Sequence, residues 1–573
     1  MNPYFSMILW AVGILFLFIF LIMHNNRSRK KLMLKKIRRV YGNVPEREYE
    51  TGDIEKISHY FRRKCGEQFA VDDITWNDLD MDRIYMLVNQ TMSSPGEDVL
   101  YSMMRIPLFS EKELKKRDEL VEFFRTHEKE REQMQILLSA IGKTRFGSLS
   151  DTILALEAAP EVSTGLHRVM FLALVLSLAV VLPLSPIYGF FLFLVLSLAN
   201  VTIYYAGRDR RLVEAYLDCF SSLLRMLGTA DKMETVDWPE VREQMAHIRE
   251  GKKSFYRLRK RAVFLTSKND GSGDPLQILM DYVRMVFHVD ILTYNNTLKE
   301  VKGKTDAIML LLDSMGELDA AIAVASFREL LPLQCKPELW EYHGERAELF
   351  VEDLYHPLIA EAVANSIHAA GGTLLTGSNA SGKSTFLKNI AINSILAQTL
   401  YTCTCAAYRA AYLKVMTSMA LRDDLASGES YFIVEIKSLK RILDEGEKKA
   451  PLLCIVDEVL RGTNTIERIA ASSRILKELD RDWILAFAAT HDIELSYILE
   501  GIYENYHFEE EVLENKVIFN YQLKEGRATT RNAIKLLEVL GYEERVVKNA
   551  GEAAAEFERT GVWKSIKEER RLC

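Results

Sequence analysis

The stretch Thr373-Leu-Leu-Thr376-Gly377-Ser378-Asn379-Ala380-Ser381-Gly382-Lys383-Ser384 decides how this chain is read. It opens with a short apolar run of β type and continues into the pattern G-x-x-x-x-G-K-[ST]. Thr385 to Leu400 then has helical period, so the order is strand, loop, helix. Gly377 and Gly382 allow the backbone to curl until its N–H groups face a phosphate at a helix N-terminus. Lys383 is placed to reach β- and γ-phosphates, and the Ser384 hydroxyl to join a magnesium shell. Gly377, Ser378, Asn379, Ala380, Ser381, Gly382, Lys383, Ser384 and Thr385 are therefore the candidate nucleotide cradle, with ATP and Mg2+ as the expected ligands.

Two further strands belong with it. Pro451 to Val456 is an apolar run ending in Asp457-Glu458, which lies 74 residues beyond Lys383. A buried strand delivering two carboxylates to its C-terminal edge suits the magnesium side of a nucleotide hydrolase. Asp457 would then hold the metal, and Glu458 would polarise the attacking water as general base. Trp483 to Ala489 forms a third such run and ends at Thr490-His491-Asp492. It brings His491 to the same sheet edge, as a sensor or orienter of the γ-phosphate.

Outside this region, composition sets limits. At 573 residues the chain has room for three or four domains of ~150 residues. Its 48% hydrophobic and 27% charged residues exclude a mostly disordered protein. A net charge of −7 gives no global field for nucleic acid. Seven scattered cysteines fit a reduced compartment, and Cys403 and Cys405 are too isolated in sequence to supply four metal ligands.

The averages conceal two apolar blocks. Met1 to Asn26 has no charged side chain, and Arg27 to Arg39 follows with eight positive charges. This reads as an uncleaved membrane anchor with the following chain on the cytoplasmic side. Val169 to Gly207 holds 39 residues without charge, interrupted by Pro183-Leu-Ser-Pro186-Ile-Tyr-Gly189. At ~20 residues per crossing it predicts a hairpin of two transmembrane helices, flanked by Arg168 and by Arg208, Arg210 and Arg211. The rest of the N-terminal half reads mainly as helix, including Glu111 to Leu138 as one amphipathic run. Lys252 to Arg261 carries six positive charges around Phe255 and Tyr256, a pattern for a solvated helix face, a lipid headgroup contact or phosphates. Ser267 to Pro275 reads as a loop.

The runs TGSNASGKSTFLKNIAINSILAQ, RDDLASGESYFIVEI, CIVDEVLRGTNTIERIA and ATHDIEL, in this order and spacing, resemble the ATPase domain of the MutS family. Asp423 to Glu435 is the discriminating piece, since general ABC-type ATPases carry a signature built around L-S-G-G-Q there. Gly526-Arg-Ala-Thr-Thr530 and the helices after it resemble the family's C-terminal dimer-contact region. Thr91 to Leu108 and Met315 to Ala325 resemble the start and end of its helical core. The resemblance implies an ABC-like α/β P-loop NTPase domain C-terminal to an all-α helical core, here with three transmembrane helices. It implies head-to-tail dimers with each nucleotide between two subunits. Asn379 would position water, Ser430 would contact the γ-phosphate bound by the partner, and Arg461 to Thr465 would cross the interface.

The expected order is an anchor at 1–26, a basic juxtamembrane segment at 27–75, the helical core at 76–345 interrupted by the hairpin at 169–207, and the ATPase domain at 346–573. There are departures from the family. Tyr431 stands where Thr is usual, and the aromatic that stacks on adenine before the phosphate loop is replaced near Val363-Ala364. About 75 residues precede the core, too few for the family's mismatch-recognition and connector domains. The reading is a multi-pass cell-membrane ATPase with a cytoplasmic catalytic domain, forming a homodimer and coupling nucleotide state to its helical core. The partners it leaves open are DNA, mismatched or branched, and an unknown protein. An ABC-type transporter ranks last, because no charged residue lies inside the predicted spans.

Overall fold

The computed structural model describes residues 28, 30–144, 149–206, 208–256, 258, 282–378, 381–419, 431–460, 463–513, 516–528 and 533–565. They form two compact units. The first takes the N-terminal stretch ending at Gln68, Tyr85–Met104 and Lys116–Leu330, and the second takes Phe69–Ile84, Arg105–Lys115 and the chain from Leu331 on. The expected first apolar crossing lies outside the described residues.

The first unit is helical and centres on Thr305–Leu330, whose face from Met315 to Arg328 is almost wholly buried. Gly316 lets the helix Ser94–Arg105 approach closely, since a Cβ there would meet the Pro95 carbonyl and Val99 within 3 Å. One turn on, buried Asp319 accepts from the backbone N–H groups of Met92 (3.0 Å) and Ser93 (2.8 Å) and from the Ser93 hydroxyl (2.5 Å). The two segments picked out as the start and end of a helical core thus meet. Burial pushes the Asp319 carboxyl up to about 6, against the pull of the Ser93 and Met92 donors. Glu111 to Leu138, expected as one helix, is two: Glu111–Thr126 and Glu128–Ser139. The chain breaks at His127, whose ring stacks on Phe123, while Arg131 donates to the freed carbonyls of Phe124 and Arg125.

Two helices of this unit are long and apolar enough to cross a bilayer, Gly165–Leu184 and Pro186–Ala206. They pack closely because Gly189 has no side chain: a Cβ there would sit 2.4 Å from the Leu182 Cα. Their large side chains point away from the protein, with Leu176, Ile187, Phe191 and Leu198 each at least 60% exposed. Beside Leu174 and Gly189, the buried positions are polar: His167, Ser177, Asn200 and Tyr204. The Asn200 amide donates to the Val286 carbonyl (2.9 Å), and His288 Nε2–H donates to the Asn200 carbonyl (2.9 Å). That bond leaves His288 Nδ1 to accept from His167 Nδ1–H (2.9 Å), and burial holds His288 below the usual histidine range.

The second unit holds two sheets. Strands are β1 (Glu338–Trp340), β2 (Glu348–Leu354), β3 (Asn365–Ala370), β4 (Gly372–Thr376), β5 (Ala407–Ala411), β6 (Lys414–Ser418), β7 (Leu452–Asp457), β8 (Ile484–Ala489), β9 (Tyr503–Leu513) and β10 (Lys516–Glu525). The smaller sheet runs β1-β5-β2-β3 and the larger β10-β9-β4-β8-β7-β6. From β9 through β6 the larger sheet is parallel, with β10 antiparallel at its edge. Every residue of β4, β7 and β8 is buried, which is why these strands read in sequence as unbroken apolar runs.

Phe69–Ile84 and Arg105–Lys115, expected in the juxtamembrane and helical segments, belong to this unit for a specific reason. Asp78 accepts from the Thr417 hydroxyl (2.7 Å) and the Met419 N–H (3.0 Å), Thr75 Oγ1 accepts from Thr417 N–H, and Leu108 N–H donates to the Gln398 carbonyl. These bonds satisfy groups at the end of β6 and of the helix Lys383–Thr399 that would otherwise be buried without partners.

Candidate nucleotide site

The site is built at the C-terminal ends of three adjacent parallel strands, where ligands of open α/β sheets bind. β4 delivers the loop, and Gly377 leaves it with φ 139°, a conformation L side chains rarely adopt. A Cβ there would also lie 2.7 Å from the Phe508 carbonyl. Gly382, at φ 109°, precedes the first turn of Lys383–Thr399. Lys383 is 5% exposed, and its Nζ donates to the carbonyls of Gly377 and Ser378, both at 2.7 Å. Ser384 and Thr385 are exposed on that first turn. Ser378 Oγ donates to Glu510 Oε2 (2.6 Å).

β7 places Asp457, 5% exposed, opposite Ala489 of β8. Glu458 follows at φ 59°, with its N–H donating to the Ala489 carbonyl (2.9 Å). β8 leads into Thr490, whose N–H donates to the Leu375 carbonyl of β4, and then to His491. His491 ties the three strands together: its Nδ1 lies 3.0 Å from the Gly377 carbonyl and its Nε2 pairs with the Glu458 carboxylate. Arg468 holds Asp492 through two bonds of 2.6 and 2.8 Å, fixing the residue after His491.

These residues border a cleft of ≈ 450 Å³ that Ser378, Ser381, Gly382, Lys383, Ser384, Thr385 and Glu458 line from one side. Gly377, Asp457 and His491 adjoin that lining through Ser378 and Glu458. The opposite wall is formed by residues the sequence reading did not select: His356, Ile359, Val363, Phe508 and Tyr521. Val363 is in the cleft as expected, but the aromatic ring beside the loop comes from Tyr521 on β10. The pairing of β9 with β10 shifts register between Phe519 and Leu523, and this bulge sets Tyr521 at φ 52° with its ring 3.2 Å from a Cβ placed on Gly382. Asn365 pins the bulge, donating to the Tyr521 carbonyl (3.0 Å) and accepting from Leu523 N–H (2.7 Å). A bulge has no periodic signature, so no local pattern announces it. Burial, aided by Lys388 and Arg83, brings His356 down to about 4, so its ring is uncharged at physiological pH.

Asn379, Ala380, Ser430, Arg461 and Gly462 lie outside the described residues, as do the loop at 267–275 and residues 529–530. Thr463 and Asn464, expected at a subunit interface, cap the helix Thr465–Glu478: Asn464 Oδ1 accepts from Glu467 N–H (3.0 Å) and Thr463 Oγ1 donates to Glu467 (3.0 Å). Within the basic run, Lys252 is 5% exposed and paired with Asp231 and Glu234, and Phe255 is fully buried. Those two members serve the core of the helical unit, because a buried ammonium needs its carboxylates. Arg257 and residues 259–261 of the run lie outside the described residues. Among the described residues no group of three or more His, Cys, Asp or Glu is arranged to hold a metal ion by itself. The oxygen donors of Ser384 and Asp457 suit magnesium, which is commonly held by one or two carboxylates together with substrate phosphates.

Comparison with known proteins finds matches over this part of the chain. Residues 373–558 match the family described as MutS domain V. Over 257 residues the chain is 30% identical to the DNA mismatch repair protein MutS of Thermosipho melanesiensis, covering 43% of this chain and 30% of that protein. The DNA mismatch repair protein MutS of Bacillus pumilus is 30% identical over 275 residues, covering 45% and 31%. MutS protein homolog 4 of Homo sapiens is 27% identical over 297 residues, covering 48% and 31%. The chain thus spans about 30% of the length of the curated relatives it matches.

Proposed function

We propose that this chain, which belongs to the MutS family through its domain V, is a membrane-anchored ATP hydrolase. It would work as a dimer and pass its nucleotide state to its helical unit. The observation that carries the reading is the junction at one sheet edge of the loop led by Lys383 and the Glu458–His491 pair.

In this reading the loop N–H groups and Lys383 bind the phosphates. Tyr521 and Val363 border the base, replacing the aromatic expected ahead of the loop. Ser384 and Asp457 would hold Mg2+, which would supply charge neutralisation at the phosphates. Glu458 accepts a proton from the attacking water. His491 bridges Glu458 to the Gly377 carbonyl and keeps that carboxylate oriented towards the loop. Asn379 positions the water, and Ser430 acts on the partner's nucleotide. The helix Glu544–Thr560, which has no buried residue, supports a homodimer contact at the C-terminus.

The outward-facing Leu and Phe side chains of the hairpin support a bilayer around Gly165–Ala206, with the flanking arginines and the ATPase unit on the cytoplasmic side. Similarity to proteins named for DNA mismatch repair makes DNA a candidate partner. The deciding experiment is steady-state ATP hydrolysis by detergent-purified full-length protein, with and without duplex and branched DNA, using Glu458→Gln as the blank. Turnover lost in the blank is the expected result. Equal turnover by Glu458→Gln and wild type would remove Glu458 as the base. Stimulation that fades with salt would add DNA to the function, and indifference to DNA would assign the engine to a protein partner.

A further inference from the structure

Three thiols that the sequence keeps apart are neighbours in the second unit. Cys403 and Cys405 lie in the loop between Lys383–Thr399 and β5, and Cys335 arrives from the segment ahead of β1. Cys335 and Cys403 exchange both backbone hydrogen bonds, at 3.1 and 2.9 Å. Cys335 Sγ is 3.5 Å from Cys405 Sγ, across 70 residues of chain. The loop is rigidly held: the Asn393 side chain accepts from Thr404 N–H (2.6 Å), and Thr404 Oγ1 donates to the Tyr355 carbonyl (2.8 Å). Cys403 and Cys405 are fully buried, whereas Cys335 is half-buried.

We propose that Cys335 and Cys405 form a reversible disulfide in response to peroxide, a redox modification site beside the C-terminal half of the phosphate-loop helix. Cys335 is the residue an oxidant reaches, and Cys405 is the resolving thiol. The Cys335 sulfur attacks one oxygen of the peroxide, the O–O bond breaks, and the departing oxygen leaves as water, giving a sulfenic acid. Cys405 then loses its proton and attacks the Cys335 sulfur, the S–O bond breaks, and a second water leaves. Two thiols are oxidised to one disulfide while one peroxide is reduced to two waters.

The surroundings favour this division of labour. The neighbouring Cys403 and Cys405 thiols and the Tyr408 backbone hold the Cys335 pKa well below the usual thiol range. Burial in the sheet core instead pushes Cys454 up to about 12, which makes it an internal unreactive control. The bond would close a loop containing β4, the phosphate loop and the whole helix Lys383–Thr399. Cross-linking a long loop restrains the unfolded chain most, so oxidation should stabilise the nucleotide-binding unit.

The test uses detergent-purified full-length protein titrated with hydrogen peroxide, alkylated, and mapped by non-reducing proteolysis and mass spectrometry. The expected product is one Cys335–Cys405 linked peptide, formed while Cys454 remains alkylatable. An upward Tm shift of several degrees should accompany it and be erased by dithiothreitol. Cys335→Ser should abolish both signals, and Cys65→Ser should leave them intact. Cys405→Ala should arrest the reaction at a sulfenic acid on Cys335, captured by a dione probe. That signature keeps the proposal testable if the alanine variant is less stable. A linkage to Cys403, oxidation that begins at Cys454, or no sulfenic acid in Cys405→Ala would overturn it.

Discussion

Two apolar helices of this chain are solvated in opposite ways. In Lys383–Thr399, 14 of 17 residues are buried, while in Pro186–Ala206 only Gly189, Asn200 and Tyr204 are. The phosphate-loop helix is enclosed by the protein, including its polar side chains: Asn393 bonds to Thr404, and Gln398 donates to the Leu413 carbonyl and accepts from its N–H. The hairpin helix turns Asn200 and Tyr204 inward and most of its leucines and phenylalanines outward. Apolar composition therefore does not decide burial; the identity of the covering material does. For the first helix the cover is a parallel sheet and its neighbours. For the second, the described residues supply none on the outer side, and lipid is the cover proposed.

This contrast can be broken by experiments that separate chemistry from location. The largest effect is expected at the sheet edge. Glu458→Gln should lower kcat by about 10²- to 10⁴-fold while ATP binding and the membrane fraction stay unchanged. In a chain from which residues 1–26 are deleted, Leu194→Arg should do the reverse. A charge at mid-span costs about 3 kcal/mol in a bilayer and within about 0.5 kcal/mol on a wet surface, so fractionation of expressing cells separates the two covers. Unchanged membrane recovery for the arginine variant would sink the lipid reading.

A third prediction concerns pH. His356, beside the phosphate-loop helix, has its pKa lowered in the folded state to about 4. Its contribution to stability is complete above the unfolded value of ~6.5 and is lost as pH falls from there towards the folded value, by ~2–3 kcal/mol. His356→Asn should flatten that part of the stability profile in thermal melts, and an unchanged slope would reject the burial argument. The smallest expected effect is Asn393→Ala, which strands the Thr404 N–H and should cost about 1–3 kcal/mol without altering the membrane fraction. Denaturant midpoints would measure it.

The phosphate loop, the Asp457 strand and the His491 strand were legible because each combines an unbroken apolar run with polar residues at its end. The hairpin was legible as 39 residues without charge. Less visible were features made by distant partners. Nothing near Asp78 shows that it will accept from Thr417, and no pattern around Tyr521 shows that a bulge will turn its ring to Gly382. The break at His127 escaped because its neighbours keep helical period across it. The smaller sheet escaped because β1 and β5 are 3 and 5 residues long and pair across intervening strands.

Glu458 sits at φ 59°, a backbone conformation suited to glycine and held by a carboxylic acid at a cost on the order of 1–3 kcal/mol. Selection for heat resistance alone, with turnover unmonitored, should therefore drift to Glu458→Gly and enrich a sturdier protein that no longer hydrolyses its nucleotide. Retaining glutamate there opposes the fold's own preference, and a stability screen of this chain needs an activity gate to keep it.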